Sequence, residues 1–418
     1  MTIVDTWFMG RIGANAVGGV GLGGTVVFTS NCFGIGLLRA VKVITAQARG
    51  GGRHPEAIQA LGSGVWSTIP LSVLCGAFGL SLAHWLPYLA GDNRITAIAQ
   101  TYLVLRLCGT PLILLSSAIR ESRYGTSDSR SPMHAALLAN LLHIPLNYAL
   151  IFSFRLGFIG AAYATLTVQA LELALLWQSQ RPNGFGLREA TLHSVKRLFV
   201  LGAPIGVEFL LGIAAFASLV LLVARMGAPE LAAHQIALQI THIVFMPSVA
   251  IGEAASVLTG NAVGAHRNSN VRRIARSALA VACGYAGVCS IAFLCFARVS
   301  VRSFTADGIT VDVGTRLLHV AAFFQLFDAI NIVSRCVLRG AGDIRTPVLI
   351  ATAAGWLLVP SLTYWLGVQL GYGAAGGWLA LTVETGTVGT ILWIRLKLER
   401  WRYADRQLRP ASTTSVPT

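Results

Sequence analysis

A polar stripe interrupts one of the most apolar parts of the chain around Asp328. In the stretch QLFDAIN, Gln325 and Asn331 flank this aspartate at a spacing that puts all three side chains on one face of a helix. An ionisable residue inside a membrane span costs about 2.5–3.5 kcal/mol on insertion scales. The stripe therefore favours a functional acid that faces a wet cavity, although a hydrogen-bonded helix contact is an alternative.

Two further acids lie in apolar surroundings near the start of each half of the chain. Asp5 occurs in VDTWFMGRIG, where it lies either inside the membrane or at an exposed N-terminus. Glu208 follows Pro204 in PIGVEFLLG and could carry a proton or contact cytoplasmic water. Both are candidates for ion coupling because buried carboxylates in membrane spans are seldom structural.

Two neutral stripes each combine a histidine with two amides. Their spacings of three and four residues place each set on one helix face. Together with the Asp328 stripe they indicate the lining of a wet central cavity rather than isolated core residues. No pair among them has the spacing of a nucleophile and its base. The stripes consist of Asn140, His143 and Asn147, and of Gln235, Gln239 and His242.

The composition shows what kind of element must position these residues. Of the 418 residues, 54% are hydrophobic and only 12% are charged, whereas soluble domains carry about 25% charged residues. Roughly 20 apolar residues cross a bilayer, which predicts eleven full spans from Gly21–Ala46 to Ala374–Leu396 after a fragment at Met1–Ile12. The net charge of +15 comes from loops between spans, so it indicates membrane orientation and not nucleic-acid binding.

The chain contains an internal repeat. Gly10–Arg53 aligns without a gap on Ala224–Arg267, and Arg120–Pro145 aligns on Arg335–Pro360. We therefore expect an all-α polytopic membrane protein with two six-helix lobes as parallel repeats, the first span being truncated. About 20 residues of that span would precede Met1 if the start were complete. The predicted domains are residues 1–186 and 187–409, followed by a disordered tail at 410–418.

The repeat and the basic residues predict the orientation. Most lysines and arginines outside the spans follow even-numbered spans, so both termini are expected to be cytoplasmic. Arg39 corresponds to Glu253 in the repeat, and either could line a cytoplasmic mouth. Arg39 and Lys42 are also close enough to the surface to reach it by snorkelling. The hinges around Asp128 and Asp343 are expected to cap helices and hold neighbouring helices together.

Three motifs resemble the multidrug and toxic compound extrusion (MATE) transporters. They are LRGAGDIRTP (Leu338–Pro347), the run Glu230–Arg267 and the stretch Val4–Gly24, of which the second is most similar to the bacterial norfloxacin-exporter branch. The resemblance covers nearly the whole chain. It implies twelve helices in two lobes around a V-shaped cavity, and export of organic cations and amphiphilic drugs in exchange for protons or sodium.

The resemblance also implies roles for single residues. Asp5 and Asp328 fall on the coupling acids of spans 1 and 10. Two departures concern span 5, where Asn147 replaces a usual aspartate and His143 stands where asparagine is common. The glutamate usual in span 7 falls on Gly212, and Glu208, one turn away on the same helix face, is the candidate to substitute for it.

These observations predict a monomeric antiporter of the inner membrane that works by alternating access. Its partners would be the lipid bilayer and small cationic or amphiphilic substrates. We expect no enzyme activity, no bound metal and no cofactor other than H⁺ or Na⁺ as coupling ion. The alternatives are a flippase for a lipid-linked or other amphiphile and a truncated, non-functional copy. A membrane transferase would need a cluster of His, Asp or Ser at one membrane rim, and the sequence offers none.

Overall fold

The chain is helical, without strands, over residues 2–90 and 93–402, which are those that the computed structural model describes. The first helices are α1 (Thr2–Gly10), α2 (Ala14–Gly50), α3 (His54–Ala90), α4 (Asn93–Leu107), α5 (Thr110–Gly125), α6 (Arg130–Tyr148) and α7 (Gly157–Gln180). The others are α8 (Leu192–Ala224), α9 (Ala228–Gly264), α10 (Ser269–Arg302), α11 (Gly308–Gly340), α12 (Arg345–Leu362) and α13 (Ala374–Lys397). π-helical turns at Ala149–Ser153 and Thr363–Gln369 extend α6 and α12, and a 3-10 turn at Arg181–Asn183 follows α7.

The lengths of these helices match the predicted spans. Within the described residues, ten helices are long and apolar enough to cross a membrane, and α4 with α5 makes an eleventh span bent by 50°. The bend lies where Pro111, in the first turn of α5, cannot donate a backbone hydrogen bond to α4. Helix α1 has only nine residues. The described helices thus provide ten apolar spans, or eleven if the bent pair crosses as one, and a short N-terminal helix, in agreement with the predicted architecture.

The repeat is visible in the turns between the first two helices of each half. Gly13, between α1 and α2, has a φ angle of +147°, and Gly227, between α8 and α9, has +125°. L-residues with a side chain rarely adopt such angles, so both turns require glycine. These two glycines correspond to each other in the sequence alignment.

Contacts divide the chain into two compact units. Unit 1 runs up to Leu210 apart from Gly50–Gly52, and unit 2 contains that short segment and continues from Leu211. The boundary therefore lies inside α8, whereas the repeat placed it between residues 186 and 187. The reason is close packing of the first part of α8 on α2. A Cβ atom added to Gly206 would meet the Phe33 carbonyl oxygen at 2.5 Å, so only glycine allows this approach.

The two polar hinges have the structural role that the sequence predicted. Asp128 accepts hydrogen bonds from the backbone N–H groups of Arg130 and Ser131 at the start of α6, each at 3.1 Å. Burial opposes its charge, but the hydrogen bonds from Ser131 and the nearby Arg123 guanidinium lower the pKa of Asp128 below its ordinary value. In the second hinge, Asp343 forms an ion pair of 2.5 Å with Arg395 of α13. Each hinge thus fixes a helix end.

Lys42 is buried instead of reaching the surface by snorkelling. It is 4% exposed, and its Nζ lies 3.0 Å from Glu121 Oε2, so that α2 and α5 are joined by an ion pair inside unit 1. The acid on the neighbouring helix removes the need for the ammonium to reach water. An ion pair in unit 2, between Arg298 and Asp312, is 3.2 Å long, with both side chains 58% exposed.

Candidate functional site

Helix α1 places Asp5 in the interior of unit 1, where it is 3% exposed. Asn147 Nδ2 on α6 donates a hydrogen bond of 3.0 Å to Asp5 Oδ1. Thr165 on α7 and Tyr102 on α4 donate to Oδ2 at 3.2 Å and 3.4 Å. Three helices therefore direct hydrogen-bond donors at one carboxylate.

His143 completes this group, which we call the Asp5 cluster (Asp5, Tyr102, His143, Asn147 and Thr165). The histidine is fully buried, and its Nε2 lies 3.3 Å from Asp5 Oδ1, 3.0 Å from Asn147 Nδ2 and 3.1 Å from Thr165 Oγ1. A protonated Nε2 can donate to Asp5, and an unprotonated one can accept from Asn147 or Thr165. The cluster can therefore hold a proton at either the carboxylate or the imidazole.

A cavity of about 300 Å³ lies beside the cluster within unit 1. Asp5 and Tyr102 line it together with two arginines, Arg106 and Arg120. Arg120 Nη2 forms an ion pair of 2.5 Å with Glu172, which also lines the cavity. A space of this volume is in the range of small-molecule sites in proteins.

In unit 2, the Asp328 stripe is buried on α11 as one polar face. Gln325, Asp328 and Asn331 are 1%, 6% and 4% exposed. Asp328 Oδ2 and both amide atoms of Gln325 have no hydrogen-bond partner among the described residues, whereas Asn331 Oδ1 accepts from Arg335 at 3.0 Å. Arg335 and Glu384 are the charged neighbours of Asp328. Unsatisfied buried polar atoms cost about 1–3 kcal/mol each, so this stripe has unused capacity to bind a ligand or ion.

The other residues singled out from the sequence lie outside these two groups. Asn140 is exposed and donates to the Ala136 carbonyl of its own helix, so it does not join His143 and Asn147. Arg39 is half-buried, with its guanidinium 5.1 Å from the Phe209 ring centroid. Glu208 is buried at 7% exposure and Glu253 is half-buried. The stripe on α9 is exposed along its whole length, at Gln235, Gln239 and His242.

Several residues of the site were not found from the sequence. Tyr102 and Thr165 are single polar side chains on separate helices and form no stripe. Arg106 could have been recognised from the sequence, because it is an arginine inside a predicted span.

His234 is buried in unit 2, outside both groups, and its Nδ1 accepts a hydrogen bond of 3.1 Å from Trp378 Nε1. In the described part of the chain, no group of three or more His, Cys, Asp or Glu residues is arranged to hold a metal.

Comparisons with known proteins agree with this architecture. The family model MatE matches residues 1–149 and 204–365. A probable multidrug resistance protein NorM of Bradyrhizobium diazoefficiens is 30% identical, over 98% of this chain and 90% of that protein. The multidrug resistance protein MdtK of Edwardsiella ictaluri is 27% identical, over 95% and 91% of the two chains.

Solved structures show the same fold. The eukaryotic MATE transporter AtDTX14 superposes with a TM-score of 0.87 at 18% identity, covering 98% of this chain and 94% of that one. A MATE family transporter in an outward-facing conformation also gives 0.87 at 18% identity, with coverages of 96% and 92%. The chain therefore belongs to the MATE family, as its motifs suggested, and the members of this family are membrane transporters and not enzymes.

Proposed function

We propose that the protein is a proton-coupled antiporter that exports organic cations and amphiphilic drugs by alternating access. The observation that carries this proposal is the Asp5 cluster, a single buried carboxylate with a histidine nitrogen 3.3 Å away, beside a cavity. The names of the bacterial relatives, which are multidrug resistance proteins, support drugs as the substrate class.

The chemistry of the cluster favours a proton over sodium. Hard cations prefer several oxygen ligands, as calcium and magnesium sites illustrate. Around Asp5, Tyr102 and Thr165 contribute hydroxyl oxygens, but the atoms of Asn147 and His143 that face the carboxylate are nitrogens, which suit a hard cation poorly. These groups donate hydrogen bonds or exchange protons, so they suit a carboxylate that is alternately ionised and protonated.

Protonation would couple ion entry to drug release. Ionised Asp5, at the wall of the cavity, attracts a cationic substrate. When a proton neutralises the carboxylate, that attraction is lost and the substrate leaves. The two protonation states must also favour different conformations, because a ligand shifts a conformational equilibrium only through its differential affinity.

The Asp328 stripe would supply a second ion site in unit 2. Its unpartnered oxygen and the unpartnered Gln325 amide are explained if a proton or cation occupies the stripe during transport. We further propose a monomer in the bacterial inner membrane with both termini in the cytoplasm. The distribution of basic residues and the bacterial origin of the relatives support this placement.

The test uses the purified full chain in liposomes, with efflux of a cationic dye driven by either a pH gradient or a sodium gradient. We expect the pH gradient to drive transport, and D5N and D328N to abolish it while eluting as folded protein. D312N, which changes an exposed acid, is the matched control and should transport normally. Transport driven by sodium alone, or unchanged transport in D5N, would refute proton coupling. Movement of a lipid-linked amphiphile without movement of the dye would instead favour a flippase.

A further inference from the structure

Arg106 is a charged residue that the mechanism above does not use. It lies at the end of α4, half-buried, with its guanidinium carbon 5.7 Å from the ring centroid of Tyr102. The hydroxyl group of the same tyrosine donates to Asp5. The arginine and the aspartate thus flank one aromatic side chain, and all three line the cavity of unit 1.

The charges on the cavity wall do not all cancel in pairs. Arg120 and Glu172 neutralise each other through their ion pair of 2.5 Å. The Arg106 side chain forms no hydrogen bond or ion pair with any described residue, and its Nε is buried without an acceptor. Asp5 has hydrogen-bond donors, but no described lysine or arginine forms an ion pair with it. What remains is one negative group and one positive group on the wall of the same cavity.

The fold itself does not require an arginine at this place. The span formed by α4 and α5 (93–125) corresponds in the repeat to α11 (308–340), and Arg106 then corresponds to Ala321. Ala321 is fully buried in unit 2, so the same position packs with a small apolar side chain. A cation inside a membrane span is costly and is usually retained for a function.

We propose that Arg106 binds the carboxylate of amphiphilic substrates whose cationic group faces Asp5, so that the cavity of unit 1 selects zwitterions. A guanidinium presents two parallel N–H donors that match a carboxylate. Asn31 Oδ1 and Gln169 Oε1 are buried at the cavity without hydrogen-bond partners among the described residues, and they can accept hydrogen bonds from the cationic end. This inference rests on the proposed export function and adds to it a specificity-determining residue.

The experiment compares two dyes that differ in one group, a rhodamine with a free carboxylate and its methyl ester. Both are offered to liposomes containing the full chain, at a pH at which the free acid is ionised. Wild-type protein should transport both dyes. R106Q should transport the acid about ten-fold more slowly, the factor that corresponds to about 1.4 kcal/mol, and should transport the ester at the wild-type rate. R106K keeps the positive charge but lacks the two parallel N–H donors of a guanidinium, so it should retain part of the transport of the acid.

The control is R11Q. Arg11 is an exposed arginine between α1 and α2 whose guanidinium lies over the Trp7 ring, so its replacement should leave the transport rates of both dyes unchanged. Equal loss of both dyes in R106Q, or no loss of either, would overturn the role of Arg106. Failure of the wild type to move either dye would instead contradict the proposed export function. If R106Q does not reach the membrane, binding of both dyes to purified wild type decides the question. The acid should then bind about ten-fold more tightly than the ester, and binding of the acid no tighter than that of the ester would overturn the inference.

Discussion

Removing one charge from the Lys42–Glu121 pair should destabilise unit 1 strongly. The pair is 3.0 Å long, and its side chains are 5% and 13% exposed. The Arg298–Asp312 pair is almost as short, at 3.2 Å, but both of its side chains are 58% exposed. The two pairs therefore differ mainly in their contact with water, which makes D312N a matched control for E121Q.

The expected magnitudes follow from the distances. At an effective dielectric constant of about 20, unit charges 3.0 Å apart attract each other with roughly 5.5 kcal/mol, whereas at 3.2 Å in water the figure is about 1.3 kcal/mol before screening by salt. Breaking a buried pair from one side typically costs about 3–5 kcal/mol, and an exposed pair contributes about 0–1 kcal/mol. Because the glutamine oxygen in E121Q can still accept a hydrogen bond, we expect a cost of about 3 kcal/mol.

The assay is the thermal unfolding midpoint of the purified protein in detergent, followed by tryptophan fluorescence. E121Q should lower the midpoint by roughly 6 °C or more, and D312N by no more than about 2 °C. The double variant K42M/E121L should recover most of the loss, because two apolar side chains leave no buried charge. A drop in E121Q no larger than that in D312N, or a double variant less stable than E121Q, would show that the ion pair is not held in a low-dielectric interior.

Three further outcomes are expected. The pKa of Asp128 is lower in the folded protein than in the unfolded chain, where it is about 3.9. The ionised carboxylate therefore stabilises the fold at pH values above about 3.9, and this stabilisation is lost as the pH falls through the pKa of the folded state. D128N should therefore be less stable at neutral pH, and its unfolding midpoint should depend less on pH in the acid range; an unchanged acid dependence would contradict this. G206A should prevent the close packing of α8 on α2 and lower the unfolding midpoint. G284A adds a methyl group where there is open space, so its midpoint should not change. Equal midpoints of the two variants would argue against the close approach of α8 to α2. W378F removes the donor to a buried histidine and should cost about 1–3 kcal/mol. W356F, at an exposed tryptophan, is the comparison, and equal losses in thermal melts would count against the hydrogen bond.

The spans and the repeat could be predicted from the sequence because both follow from local patterns. The length of an apolar stretch is fixed by the thickness of the bilayer, so the predicted spans agree with the ten or eleven apolar helices of the structure. The alignment of Gly13 with Gly227 was visible as residue identity, and both turns have the backbone that needs glycine. The Asp328 stripe was also found, since its three residues share one helix and their common face follows from helical periodicity alone.

The Asp5 cluster could be predicted only in part because its members come from four helices. Asp5, His143 and Asn147 stood out as polar residues in apolar surroundings. Tyr102 and Thr165 did not, since a single hydroxyl group in a span has no periodic pattern and gains its role only from the packing of α4 and α7 on α1 and α6. Lys42 was expected at the surface for the same reason, because its partner lies on a helix distant in sequence.

The position of the unit boundary inside α8 has a consequence for dividing the protein into halves. A cut in the loop between α7 and α8 separates the two sequence repeats, yet it removes from unit 1 the segment 192–210 that packs on α2. The N-terminal fragment would then lack the helix segment that covers Phe33, Gly36 and Leu37 of α2. A fragment that ends after Leu210 keeps this surface covered. The duplicated segment and the compact unit are therefore different lengths of the same chain.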